Sequence, residues 1–315
     1  MITVENLTKK YGRKTAVSDL SFQVQPGRVT GFLGPNGSGK STTMRCMLGI
    51  DIPNAGRTTF DGVEYQKLPS PLTKVGALLD GKAFHGGRTA RQHLLTVAAT
   101  HGFSRERVEE VLRLTGIENV AKKQVKTFSL GMCQRLGVAT ALLGNPEVLI
   151  LDEPVNGLDP DGVRWIRQLV RTYAQEGRSV LISSHLMSEM AITADDLIII
   201  GKGKLLASGP ITQFTQSASH SKALIVGADN EQIYQVLTAA GYSAEKRPAD
   251  SARPRGYIEV PGVSCAAIGN LLYTRNCEIH ELQDIHSSLE DVFMEMTAGE
   301  FEYTSRRQHG EKKEQ

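Results

Sequence analysis

The chain has 315 residues, 40% of them hydrophobic and 22% charged, with a formal net charge of +2. That length predicts about two domains with ample chain for a core, and the near-neutral balance argues against a strongly electrostatic nucleic-acid binder. Cys46, Cys133, Cys265 and Cys277 form no C-x-x-C pair, which signals neither a zinc site nor a disulfide framework and fits reduced thiols in the cytosol.

The start, MITVENLTKKYG, is polar, and no run approaches the ~18 apolar residues of a spanning helix, so the chain is not expected to cross a membrane by itself. Residues 1–33 alternate short β-like runs (Thr3–Glu5, Leu20–Val24, Val29–Leu33) with Gly and polar turns. A helical pattern over 40–48 stops at Gly49, and residues 90–145 read mostly as helix, with Met132, Leu136, Ala139 and Leu143 on one stripe. "EVLILDEP" is an unbroken apolar run ending in acids, which suits a parallel strand buried on both faces. "DPDG" then opens a helix, with Asp159 as N-cap, Pro160 at the first helical position, and Val163, Ile166, Val170 and Tyr173 as its buried stripe. "SVLISS" and "DLIIIG" complete an alternating β/α order, predicting a mainly parallel sheet with helices on both faces and a helical insertion.

Composition shifts at "GPITQFTQSASHSK" (209–222). Beyond it the pattern reads strand (223–228), helix (231–240), strand (242–247), strand (256–260), helix (264–274) and strand (276–282), a βαββαβ order that predicts a small two-layer α+β domain. A last amphipathic helix places Leu289, Val292, Phe293 and Met296 on one face. The mixed-charge end predicts a disordered tail over 299–315.

The chemistry concentrates in two motifs. "GPNGSGKST" satisfies G-x-x-x-x-G-K-[ST] through Gly34, Gly39, Lys40 and Ser41, and it follows a strand and opens a helix. Such a loop turns backbone N–H groups and a helix N-terminus onto a phosphate. Lys40 would neutralise the β- and γ-phosphates and the Ser41 hydroxyl would ligate Mg²⁺. In "VLILDEP", Asp152 at the end of a buried strand is placed to hold Mg²⁺ through water, and Glu153 to polarise an attacking water as general base.

"GPNGSGKST", "FSLGMCQR", "LILDEPVNGLD" and "ISSH", in this order, resemble the ATP-binding cassette of ABC transporters over roughly residues 1–215. The resemblance implies an α/β P-loop NTPase core with an antiparallel β subdomain and a helical subdomain at about 90–145. A small α+β domain over 220–298 would follow. It implies ATP and Mg²⁺ as cofactors. The nucleotide would lie on Gly34, Pro35, Asn36, Gly37, Ser38, Gly39, Lys40, Ser41 and Thr42, with Tyr11 stacked on adenine. Ser129, Leu130, Gly131, Met132 and Gln134 form the signature segment, which in this family completes the ATP site of a second chain. Ser129 also reads as an N-cap for the following helix. Asp159 falls in the loop that crosses between chains, and His185 at the position that contacts the γ-phosphate.

Two departures stand out. Against the common L-S-G-G-Q, Phe128, Leu130 and Met132 replace Leu, Gly and Gln, and Leu130 and Met132 read as packing residues. In "VGALLDGKAF", Asp80 stands where the family commonly has a Mg²⁺-ligating Gln. A carboxylate is a competent hard donor there, and a plain turn residue is the competing reading.

The implied function is ATP hydrolysis that drives separately encoded integral-membrane permease subunits. The subunit would pair as a homodimer or with another ABC ATPase, peripheral at the inner face of the cell membrane. The "SLEDVFMEMT" segment resembles ATPase subunits of type-2 exporters, including antibiotic and drug efflux systems. No nucleic-acid partner is expected. A soluble ABC ATPase of translation or DNA maintenance is the alternative, and it ranks lower because the chain has one cassette and a modest helical insertion. A non-catalytic sequestering protein is a third reading, opposed by the presence of Glu153.

Overall fold

The computed structural model of the chain describes residues 1–81, 83–215, 221–250, 253–286 and 289–297. They form two compact units, one built on Met1–Gly209 and a second on Pro210–Glu295.

The first unit opens with two long antiparallel strands, β1 (Ile2–Tyr11) and β2 (Lys14–Val24). Both outrun the apolar runs expected from sequence. Backbone pairing continues through Lys10↔Thr15 and Tyr11↔Lys14, where polar side chains conceal the strand from hydropathy. Next come β3 (Val29–Leu33), α1 (Lys40–Met47) and β4 (Ala55–Phe60), which pairs antiparallel with β1. A short helical turn, α2 (Pro71–Lys74), leads into β5 (Val75–Leu78).

Three helices occupy the expected helical insertion: α3 (Ala90–His101), α4 (Arg105–Leu114) and α5 (Leu130–Leu142). Each starts on a side-chain cap. Thr89 forms a capping box with Gln92, and Ser104 and Ser129 each accept the third amide of their helix. On the predicted α5 stripe Leu136, Ala139 and Leu143 are buried but Met132 is only partly covered. Val138, Ala141 and Leu142 are buried too, because α5 packs on β5, on β6 (Val148–Leu151) and on the neighbouring helices at once.

From β6 the chain runs through α6 (Pro160–Gln175), β7 (Ser179–Ser183), α7 (Met187–Thr193), β8 (Asp196–Gly201) and β9 (Lys204–Pro210). Asp159 caps α6 with Pro160 at its first position, as the sequence predicts. Among the described residues the central sheet has six strands in the order β5-β6-β7-β3-β8-β9, and its pairings from β5 to β8 are all parallel. The antiparallel sheet (Ile2, Leu20, Val24), α1 (Met44, Met47) and the parallel sheet (Phe32, Ile150) bury into one cluster. The loop after β3 is thus clamped between two sheets.

The second unit holds α8 (Ile211–Thr215), β10 (Ser221–Gly227), α9 (Asn230–Ala239), β11 (Glu245–Arg247), β12 (Tyr257–Pro261), α10 (Cys265–Thr274), β13 (Ile279–His286) and α11 (Leu289–Thr297). Its sheet runs β11-β12-β10-β13 with antiparallel pairings, and Ala223, Ile225, Ile258 and Val260 meet Ile233, Leu237 and Ile268 in its core. The βαββαβ order matches the sequence reading, but the last strand starts three residues later. The amides of Asn276 and Cys277 are spent on the carbonyls of Tyr273 and Leu272, closing α10 before the strand can begin. On the closing helix Leu289, Val292 and Phe293 are buried while Met296 is exposed, shortening the predicted apolar stripe. The tail expected to be disordered, 299–315, lies outside the described residues.

Candidate functional site: a phosphate cleft beside an acidic strand end

The cleft is built on β3, whose five residues are all buried, and on the loop that leads from it into α1. Gly39 caps that helix with φ +107, and a Cβ there would lie 2.6 Å from the carbonyl of Ala16, so only glycine fits the turn. The β8–β9 turn braces the loop from behind through Gly203 N–H to the Ser38 carbonyl (2.9 Å). A cavity of about 380 Å³ results, lined by Tyr11, Lys14, Ala16, Asn36–Thr42, Asp152 and Glu153.

Lys40 is buried, and its Nζ donates to the carbonyls of Gly34 (2.6 Å) and Pro35 (3.2 Å). Burial lowers its pKa, and the charges of Glu153 and Asp152 oppose that shift. Among the described residues the buried Ser38 hydroxyl has no hydrogen-bond partner, and it is packed under the loop, 2.4 Å from where a Cβ on Gly34 would lie.

Asp152 follows β6 and is buried, its amide donating to the Leu78 carbonyl at 2.7 Å. Its Oδ2 accepts from the Ser41 hydroxyl (2.5 Å) and its Oδ1 from the Ser183 hydroxyl (2.6 Å). The same Ser183 oxygen accepts the Glu153 amide (2.9 Å), so one buried hydroxyl bridges both acids. Glu153 has φ +49, a conformation that L side chains rarely adopt, which costs about 1–3 kcal/mol. Its Oε2 lies 2.8 Å from His185 Nδ1. Gln134, buried on α5, points its Nε2 at the Glu153 carbonyl (3.5 Å).

Tyr11 projects into the cleft mouth at 46% exposure. Its hydroxyl donates to Asp51 Oδ2 (2.5 Å), which Arg45 also grips (2.7 Å), and Lys9 sits 5.0 Å over its ring. Arg45 first, then Tyr11, hold the Asp51 carboxyl down from 3.8 to about 2.

The structure therefore brings together Tyr11, the loop residues, Asp152, Glu153 and His185. Other sequence candidates lie elsewhere. Asp80 is exposed after β5 and lines a separate, mostly apolar groove of about 520 Å³ with Leu48, Phe84 and Thr140. Ser129, Leu130, Gly131 and Met132 do not line the cleft of their own chain. Ser129 accepts from the Met132 amide (3.2 Å), so it is an N-cap. Gln134 turns inward toward Glu153 rather than outward with the signature, and Asp159 spends Oδ1 on the Gly162 amide (2.8 Å). Sequence reasoning missed Ser183 and the Asp51–Arg45 pair. The signal for Ser183 was a serine closing the apolar run Val180, Leu181 and Ile182.

A P-loop fold with a lysine, a serine and two acids converging in one cleft defines a nucleoside-triphosphate-binding protein. The family model for "ABC transporter" matches residues 17–156. YhcH of Bacillus subtilis, an uncharacterized ABC transporter ATP-binding protein, is 34% identical over 302 residues, covering 94% of this chain and 96% of that one. The bacitracin transport ATP-binding protein BcrA of Bacillus licheniformis is 42% identical over 213 residues, 67% of this chain and 70% of that one. Among solved structures, an ATP-binding subunit of an ABC transporter superposes with a TM-score of 0.63 at 25% identity, covering 68% of this chain and 91% of that one. The chain belongs to the ABC transporter ATP-binding proteins and is an ATPase. Among its described residues no helix is long and apolar enough to cross a membrane.

Proposed function

We propose that this chain is the motor subunit of an exporter for an antibiotic or similar drug-like compound, working head-to-tail in a pair on separate membrane-spanning subunits at the inner face of the membrane. The observation that carries the pairing is geometric. One cleft gathers Lys40, Ser41, Asp152 and Glu153, while the capped end of α5 stands outside it. The helix geometry leaves the amides of Leu130 and Gly131 outside the α5 ladder, with a positive dipole end behind them, a suitable receptor for a phosphate brought by a second chain.

In this reading ATP lies on the loop with adenine against Tyr11. Lys40 leaves the carbonyls of Gly34 and Pro35 for the phosphate oxygens. Ser41 and Asp152, two hard oxygen donors 2.5 Å apart, would hold Mg²⁺, which supplies charge neutralisation when bound. Asp80 is left out of that donor set because it lines the other groove. Glu153 takes the proton of the attacking water, and its contact with His185 fixes the carboxylate's direction. Export of a drug-like compound rests on the likeness to a protein named for bacitracin transport and on the closing SLEDVFMEMT segment.

Glu153→Gln should slow phosphate release by about a hundredfold or more and accumulate an ATP-dependent dimer in light scattering. Ser129→Arg in that background should abolish the dimer. A protein that stays monomeric in Glu153→Gln with ATP refutes pairing by the isolated chain.

A further inference from the structure

The end of α5 is seated on the loop that follows Glu153, and the seat is made of one large and one absent side chain. Gly157 has φ +74, and a Cβ built there would lie 2.4 Å from Cδ2 and 2.5 Å from Cγ of Leu130, closer than real atoms approach. The backbones nearly touch as well, since a Cβ on Gly131 would lie 2.9 Å from the Gly157 carbonyl. Leu130 is 39% exposed, so packing into the protein core is not what fixes this side chain. Four residues before Gly157 stands Glu153, itself in a left-handed conformation and tied to Ser183 and Gln134. Downstream, Asp159 is fixed as the cap of α6. The segment 153–159 is therefore anchored at both ends, and Leu130 is fitted over its middle.

We propose that Leu130 is a positioning residue: its side chain, filling the space a missing Cβ leaves at Gly157, sets where Ser129 and the Leu130 and Gly131 amides stand relative to Glu153 of the same chain. This rests on the head-to-tail reading above. In a pair, the α5 end of one chain serves one nucleotide and its Glu153 serves the other. The Leu130–Gly157 fit then ties the two sites mechanically. It also accounts for leucine at a signature position where small size would otherwise suffice.

The test is a double-mutant cycle with Gly157→Ala and Leu130→Gly in the full chain, reading kcat for ATP, ATP-dependent dimerisation in the Glu153→Gln background, and affinity for a fluorescent ATP analogue. Gly157→Ala should lower kcat by about tenfold when Leu130 is present, and by no more than about twofold when Leu130 is Gly. The backbone cost of alanine at φ +74 is common to both backgrounds and cancels from the cycle. Analogue affinity of the unpaired chain, measured at a concentration where it is monomeric, should hold within about twofold, because neither residue lines the cleft of its own chain. Additive losses in kcat overturn the proposal, as does a matching loss of analogue affinity. If Gly157→Ala fails to fold, folding of the double variant is the expected rescue, and failure of both counts against the fit. Ser129→Arg separates the two ideas. A dimer that survives it removes the head-to-tail reading, whereas a lost dimer with an additive cycle removes only the role of Leu130.

Discussion

Removing the Ser183 hydroxyl should weaken the cassette and its turnover together. Ser183→Ala takes one partner from Asp152 Oδ1 and leaves the Glu153 amide without its acceptor. The position is fully buried, so surrounding water does not replace either bond. A hydrogen bond to a charged acceptor contributes about 1.5–3 kcal/mol and a neutral one about 0.5–1.5 kcal/mol, for a loss of about 2–4.5 kcal/mol. For a unit of this size that lowers Tm by roughly 5–15 °C. The amide bond also helps hold Glu153 at φ +49. Its loss lets the carboxylate drift, and misplacement of a catalytic group by about 1 Å costs on the order of a hundredfold. We expect kcat to fall about 10- to 100-fold with little change in KM. Differential scanning fluorimetry without nucleotide and a phosphate-release assay read the two effects. A Tm within about 1 °C of wild type with kcat within about twofold would refute the bridging role.

Two further outcomes follow from the cleft mouth. Tyr11→Ala should weaken binding of a fluorescent ATP analogue by about tenfold, the scale of base stacking, whereas Tyr11→Phe should hold within about twofold; equal losses in both would assign the effect to the hydroxyl's bond with Asp51 instead. Asp51, depressed from 3.8 to about 2, binds fewer protons folded than unfolded, so its stabilisation is present above about pH 4 and is lost as pH falls through about 2. Asp51→Asn should therefore show a flatter decline of urea midpoint between pH 4 and 2, and parallel acid limbs for the two proteins would reject the linkage.

The amino-acid sequence alone determined the parts whose signals are local. The loop Gly34–Ser41, the buried run ending in Asp152 and Glu153, the Asp159–Pro160 helix start and the βαββαβ order all come from spacing and near-neighbour chemistry. Partners distant along the chain were set only by tertiary structure. Parallel pairing of Leu151 with Ile182 brings Asp152 beside Ser183, 31 residues later, and no periodicity encodes that register. Likewise Gln134 lies on a helix whose several buried faces left its direction open, and packing turned it toward Glu153. Asp80, for which a Mg²⁺ ligand by resemblance and a plain turn residue were competing readings in sequence, lines a different groove in the fold. Leu130, unassigned beyond packing in the sequence, acquired a partner only when the fold laid it over Gly157, because the space it fills is a side chain that is not there.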